Sequence, residues 1–119
     1  MGTPRQIVHI TTHTAWDEAR QAGSYSSVSL NTEGFIHFSF PEQVVRVANA
    51  NFHGFEDELV LLVVDPNALE MPMRLEVPER GAPPFPHLYG PLNIEAVTRV
   101  VPFTEGSGGF ELPPELKSR

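Results

Sequence analysis

The alternation of apolar and polar positions cuts the chain into short elements. "QIVHIT" (Gln6–Thr11) is rich in β-branched residues and predicts a first strand. "TTHTAWDEARQAG" then predicts a helix. Trp16, Ala19 and Arg20 fall on one of its faces, and Asp17, Glu18 and Gln21 on the other. Thr14 and Asp17 have the spacing of a capping box, and Gly23 suits a C-terminal stop. Ser24 to Thr32 is polar and Ser-rich, the composition of a loop. "GFIHFS" (Gly34–Ser39) predicts a second strand running into "PEQVVRVANANF". In that segment Val44, Val45, Val47, Ala48 and Phe52 form a helical stripe, Pro41 suits the first turn, and Ser39 with Glu42 has cap spacing. "ELVLLVVD" (Glu58–Asp65) is apolar throughout and predicts a central strand buried on both faces. Asp65 can cap the turn "PNAL". "PMRLEVP" alternates, with Met73, Leu75 and Val77 on one side and Arg74 and Glu76 on the other. "RGAPPFPHLYGPL" is too rich in proline for regular structure before "HLYG". A last strand spans Val97 to Phe103.

Two early helices followed by runs of strands indicate an α+β fold, a single compact domain with a mixed or split sheet. The domain is expected over residues 1–104, with a flexible Gly- and Pro-rich tail over 105–119. At 119 residues the chain fits one domain that can bury a core without staples. There is no cysteine, which removes disulfides, thiol nucleophiles and thiolate metal sites. No apolar run reaches the ~20 residues of a membrane span, and the N-terminus does not read as a secretory signal. The expectation is a cytoplasmic protein with no membrane partner. Fifteen acidic against eight basic residues give a net charge of −7, and the basic residues form no patch, so nucleic acid is a disfavoured partner.

The candidate chemistry lies in histidines. His13 and His53 read as solvated surface residues. His9, mid-strand in "IVHIT", and His37, mid-strand in "FIHFS", would each read alone as a satisfied core imidazole. Three features change the balance when they are taken together. Burying imidazoles among Val, Ile and Phe is costly unless both nitrogens find partners. Strand parity puts Thr11 beside His9 and Ser39 beside His37. "FPHLYGP" adds His87 and Tyr89 on a segment stiffened by Pro86 and Pro91. A few polar groups in an apolar surround mark a ligand site. A metal site from His9, His37 and His87 is conceivable, but no ligand motif is present and no metal residue is assigned. Ser39 lacks a nucleophile elbow, and the chain has no phosphate-binding glycine loop. A helix start directly after "FIHFS" would aim N–H groups at an anion near Ser39.

"VHITTHTAWDEARQAGSYSSVSLNTEGFIHFSFPEQV", "ELVLLVVDPNAL", "RLEVP" and "FPHLYGPLNIEAVTRV" together resemble the domain-of-unknown-function family 952, small bacterial proteins. That family is similar to the ADP-ribosylation fold of NAD-dependent transferases and RNA 2′-phosphotransferases. "VHIT" is similar to the "YHGT" strand of those enzymes, and "FIHFS" to their "HVHLS" strand. The resemblance implies that His9 contacts a ribose hydroxyl and that His37 and Ser39 line the same cleft. Such chemistry also needs a carboxylate. Glu33 and Glu76 are candidates, and Glu76 reads as a solvated strand residue.

The expectation is therefore a nucleotide-like small-molecule site, with NAD or ADP-ribose as ligand or substrate. His37 and His87 would be the acid/base residues, and His9, Thr11, Ser39 and Tyr89 the binding residues. In the enzymatic version the reaction is of the ADP-ribosyl-transfer type. The alternatives are a non-catalytic binding or sensing module and a metal-dependent enzyme with a His cluster.

Overall fold

A computed structural model describes residues 5–117. Three strands make the central sheet, in the order β1 (Ile7–Thr12), β4 (Leu59–Val64), β8 (Val97–Pro102), with both pairings antiparallel. β4 lies in the middle and all six of its residues are buried, which accounts for its unbroken apolar run. The sheet separates two cores. Ile7, Val60, Leu62 and Val64 face one, with Trp16 and Ala19 of helix α1 (His13–Ala22). Val8, Ile10, Leu61 and Val63 face the other, with Val44 and Ala48 of helix α3 (Pro41–Asn51).

A second three-stranded sheet runs β3 (Ile36–His37), β6 (Phe85–Leu88), β5 (Met73–Glu76). A two-stranded pair joins β2 (Ser24–Tyr25) to β7 (Leu92–Asn93). These pairings are also antiparallel. Reciprocal backbone bonds of 2.8 Å between Val8 and Ser39 hinge the second sheet onto the edge of the first. The result is a compact α+β domain. No helix among the described residues is long and apolar enough to cross a membrane.

Several local expectations change. Helix α1 is capped by Thr12, whose hydroxyl accepts from Ala15 N–H at 3.1 Å, rather than by Thr14. Gly23 ends α1 at φ 93°, a left-handed conformation that favours glycine. Residues 24–32 are not a plain loop: Tyr25 pairs with Leu92, and Val28–Thr32 forms the short helix α2. Ser39 does not cap α3. Its backbone is committed to Val8, and the cap is reciprocal between Phe40 N–H and Gln43 Oε1, and Gln43 N–H and Phe40 O, both 2.8 Å. The proline-rich segment is ordered from Phe85, because Pro86 sits in β6 with its carbonyl accepting from Phe38 N–H at 2.9 Å.

Residues 105–117 are packed rather than loose. Phe110 is 4% exposed and belongs to the α3 core, with Leu112 and Leu116 against it. Asn49 of α3 accepts from Phe110 N–H at 2.9 Å. The glycines of "GSGG" form a tight turn, Gly106 bonded to Gly109 in both directions, which returns the chain to the core. Ser118 and Arg119 lie outside the described residues.

Candidate functional site

Strand parity builds the site. In β3 and its flanks, Ile36 and Phe38 point into the first core, so Phe35, His37 and Ser39 share the opposite face. In β6, Leu88 points into the core and His87 away from it. His37 and His87 are direct cross-strand partners, so their side chains meet on that face. In β5, Met73 packs against the core, and the next positions, Arg74 and Glu76, join His87.

A cleft of about 720 Å³ opens beside this face. Tyr25, Phe35, Phe38, Phe52 and Phe85 supply aromatic surface, and His9, His37, His87, Ser39 and Glu33 supply polar groups. No Lys or Arg lines it among the described residues. The volume is in the range of small-molecule sites.

His9 is buried, 8% exposed. Its Nδ1 lies 2.6 Å from the His37 carbonyl oxygen, and its Nε2 lies 2.8 Å from the Tyr25 hydroxyl. Desolvation by burial is the largest effect on it and holds its pKa down at about 4, so at neutral pH the ring carries one proton. A carbonyl only accepts, so that proton is on Nδ1, and the Nε2 lone pair accepts from Tyr25. The Tyr25 and Thr11 hydroxyls are 3.0 Å apart. With the Tyr25 proton given to His9, Thr11 supplies its own proton to the Tyr25 oxygen. Burial raises the Tyr25 pKa, so the phenol stays neutral. Both His9 nitrogens are engaged within the protein, and His9 and Tyr25 both line the cleft. Thr11 stands behind Tyr25 and does not line the cleft.

His87 is 6% exposed and stacks on Phe35, with centroids 4.0 Å apart and planes at 17°. Its Nδ1 is 2.8 Å from Glu76 Oε1. Tyr89 O–H donates to the same oxygen at 2.5 Å. These two hydrogen bonds, Tyr89 first, lower the Glu76 pKa, and the carboxylate in turn raises that of Tyr89. In the neutral ring, with Nδ1–H donated to Glu76, Nε2 carries the lone pair. It has no hydrogen-bond partner among the described residues and is not sealed from solvent. This is the arrangement of an oriented general base.

His37 is exposed, with Nε2 3.2 Å from Glu33 Oε2. Its ring lies 5.3 Å from that of His87, at 78°. Tyr89 touches Phe35, at 5.4 Å between centroids, but does not line the cleft; it holds Glu76 from behind. His13 pairs with Asp17, and His53 with Glu105, both on the outer surface.

Of the residues singled out in the sequence, His9, His37, His87 and Ser39 therefore meet at one cleft, while Thr11 and Tyr89 support it. One participant was not foreseen, and another was weighed as the site carboxylate but read as solvated. Tyr25 sits in a Ser-rich stretch with no periodic signal. Glu76 lies on what reads as a solvated strand face, yet it holds His87. The N-terminus of α3 does not offer an anion site near Ser39: Pro41 lacks an N–H, Phe40 N–H is taken by Gln43, and Glu42 occupies the first turn, paired with Arg5. Among the described residues no group of three or more His, Asp or Glu side chains is arranged to hold a metal ion.

The chain is similar to the protein CC0527 of Caulobacter crescentus. Against its crystal structure the identity is 34%, with 93% of this chain and 97% of that one covered and a TM-score of 0.82. A double mutant of the same protein gives the same values. Its solution NMR structure matches at 35% identity over 88% and 90% of the two chains, with a TM-score of 0.74. A search of curated proteins finds no match to this chain. The sequence profile of the family described as "Protein of unknown function (DUF952)" matches residues 10–100, and the chain belongs to that family.

Proposed function

We propose that the cleft binds a small molecule of the nucleotide-like class, an aromatic ring joined to a hydroxyl-bearing sugar. The observation that carries this reading is the His87 side chain. It is held by Glu76, is stacked on Phe35, and turns a free Nε2 into an aromatic-lined cavity of about 720 Å³. Planar rings find edge and face partners on Phe35, Phe38 and Phe85. Sugar hydroxyls find the Tyr25 oxygen, Ser39 and the imidazoles. The likeness of "VHIT" and "FIHFS" to the strands of the ADP-ribosylation fold supports the same ligand class, with NAD and ADP-ribose as members to test. With no Lys or Arg in the lining, a diphosphate would lie toward solvent and contribute little to affinity.

The test is calorimetric titration of the purified protein with adenosine, ADP-ribose and NAD. Millimolar or tighter binding of at least one is expected, weakened at least tenfold by His87→Ala with the fold retained by circular dichroism. No heat of binding from any of the three at millimolar concentration contradicts the proposal.

A further inference from the structure

The cleft holds two carboxylate-backed imidazoles, Glu76–His87 and Glu33–His37, on neighbouring strands with ring centroids 5.3 Å apart. One reacting centre between them lies within reach of both rings. The two differ in environment. His87 is buried and its Nδ1–H is committed to Glu76, so it offers a lone pair. His37 is exposed, its Nε2 faces Glu33, and its Nδ1 has no partner among the described residues, so a protonated His37 offers an N–H and exchanges freely with solvent. A base and an acid converging on one cleft is the minimum for a reaction that removes one proton and delivers another.

The surrounding charge selects the reaction class. Glu33 is the one acidic liner, Glu76 stands directly behind His87, and no Lys or Arg lines the cleft among the described residues. An environment of carboxylates stabilises positive charge that develops in a transition state and penalises developing negative charge. Acyl and phosphoryl transfer develop negative charge on oxygen. Cleavage of a glycosidic bond develops positive charge on the sugar.

Resting on the nucleotide-like reading above, we infer that this chain hydrolyses the N-glycosidic bond of an uncharged nucleoside-type substrate, with His37 as the acid and His87 as the base. The bond between C1′ and the base nitrogen breaks, its electron pair stays on that nitrogen, and the nitrogen takes the proton from His37. The sugar carbon becomes oxocarbenium-like beside Glu33, with Glu76 behind His87. Water adds to C1′, and its proton passes to His87 Nε2. The products are the free base and the sugar hemiacetal, and solvent exchange returns one proton to His37 and removes one from His87. Glu33 and Glu76 are positioning residues.

The groups that face this pair are few. His37 meets Glu33 from the end of α2 and His87 across from β6. His87 meets Glu76 and Arg74 from β5, the latter reaching over Tyr89 at 5.3 Å. His9 approaches only through the His37 carbonyl and is neutral.

The test is release of free base from adenosine, inosine, uridine and NAD at millimolar concentration, followed by chromatography across pH 5 to 9. A bell-shaped kcat/KM profile is expected for a nucleoside. His87→Gln removes the rising limb and His37→Gln the falling limb, each with a loss of roughly 10²-fold or more. Glu76→Gln shifts the rising limb and keeps the fold if His87→Gln does not. NAD separates the roles, because nicotinamide leaves neutral and needs no proton: His37→Gln is expected to slow NAD cleavage far less than nucleoside cleavage. Binding by calorimetry with no base released from any of the four overturns the catalytic inference and leaves the ligand reading standing. Absence of both overturns both. Equal losses on NAD and nucleoside in His37→Gln overturn the assignment of the acid.

Discussion

His9→Gln gives a direct handle on the buried network, because the structure fixes both the sign and the size of its pH effect. His9 titrates near 6.5 in an unfolded chain and at about 4 in the folded one, chiefly through burial. Between those values the unfolded state binds the proton that the folded state refuses, so stability falls as pH falls. The contribution is complete above pH 6.5 and is exhausted at about pH 4. At about 1.4 kcal/mol per unit, the whole displacement is worth about 3 kcal/mol. At pH 7.5 the substitution is expected to cost about 1 to 3 kcal/mol, because Gln cannot satisfy both the His37 carbonyl and the Tyr25 hydroxyl at the distances the imidazole spans. At pH 4.5 most of that difference is expected to vanish or reverse, since the wild type alone carries the His9 penalty. Urea unfolding of both proteins at pH 7.5, 6.5, 5.5 and 4.5 measures it. Groups remote from His9 are the same in both chains and cancel in the difference. Parallel stability curves for the two proteins would refute the buried neutral His9, and with it the assignment of Tyr25 as proton donor to Nε2.

Three further outcomes follow from the packing and the second network. Phe110→Ala is expected to cost about 3 to 5 kcal/mol, as expected for a phenyl ring lost from a core. Asn49→Ala, which leaves Phe110 N–H without its acceptor, should cost about 1 to 3 kcal/mol; a flexible tail would give neither, and thermal unfolding decides. Glu76→Gln removes the carboxylate that raises Tyr89, so the Tyr89 phenol is expected to titrate at lower pH in the variant, read by ultraviolet difference absorbance; an unchanged phenol titration would contradict the Glu76–Tyr89 bond.

The contrast between what the sequence disclosed and what it hid has a physical basis. β4 and α3 were legible because one apolar pattern, an unbroken run in β4 and a helical stripe in α3, holds over the full element. The meeting of His37 and His87 followed from parity, since each sits opposite the core-facing residues of its own strand, whereas His9 shares the face of Ile7 and reaches the cleft from the core side of β1. Glu76 was hidden by the same rule. An amphipathic strand normally turns its polar face to water, and here that face lies behind His87, a wall of the cleft, while Leu75 and Val77 on the apolar side run past the core and lie more than half exposed. Only the β5–β6 register brings Glu76 to His87, and register is a long-range property. Tyr25 was hidden because a two-residue strand has no period to read. The C-terminal segment misled because its glycines and prolines outnumber its anchors, yet Phe110, Leu112 and Leu116 were the signal for packing. Ser39 misled as a cap because a two-residue bridge to Val8, invisible locally, claims its backbone.

The central claim is that His87 presents an unprotonated Nε2 to a ligand while His9 is locked away from it. Nitrogen-15 spectra of the histidine side chains at pH 7, recorded while adenosine or ADP-ribose is titrated in, address both halves at once. The account predicts His9 as a neutral Nδ1–H tautomer whose ring nitrogens barely move, and ligand-dependent shifts concentrated on His87 and His37. Shifts confined to His13 and His53, or a His87 whose proton sits on Nε2, would contradict it.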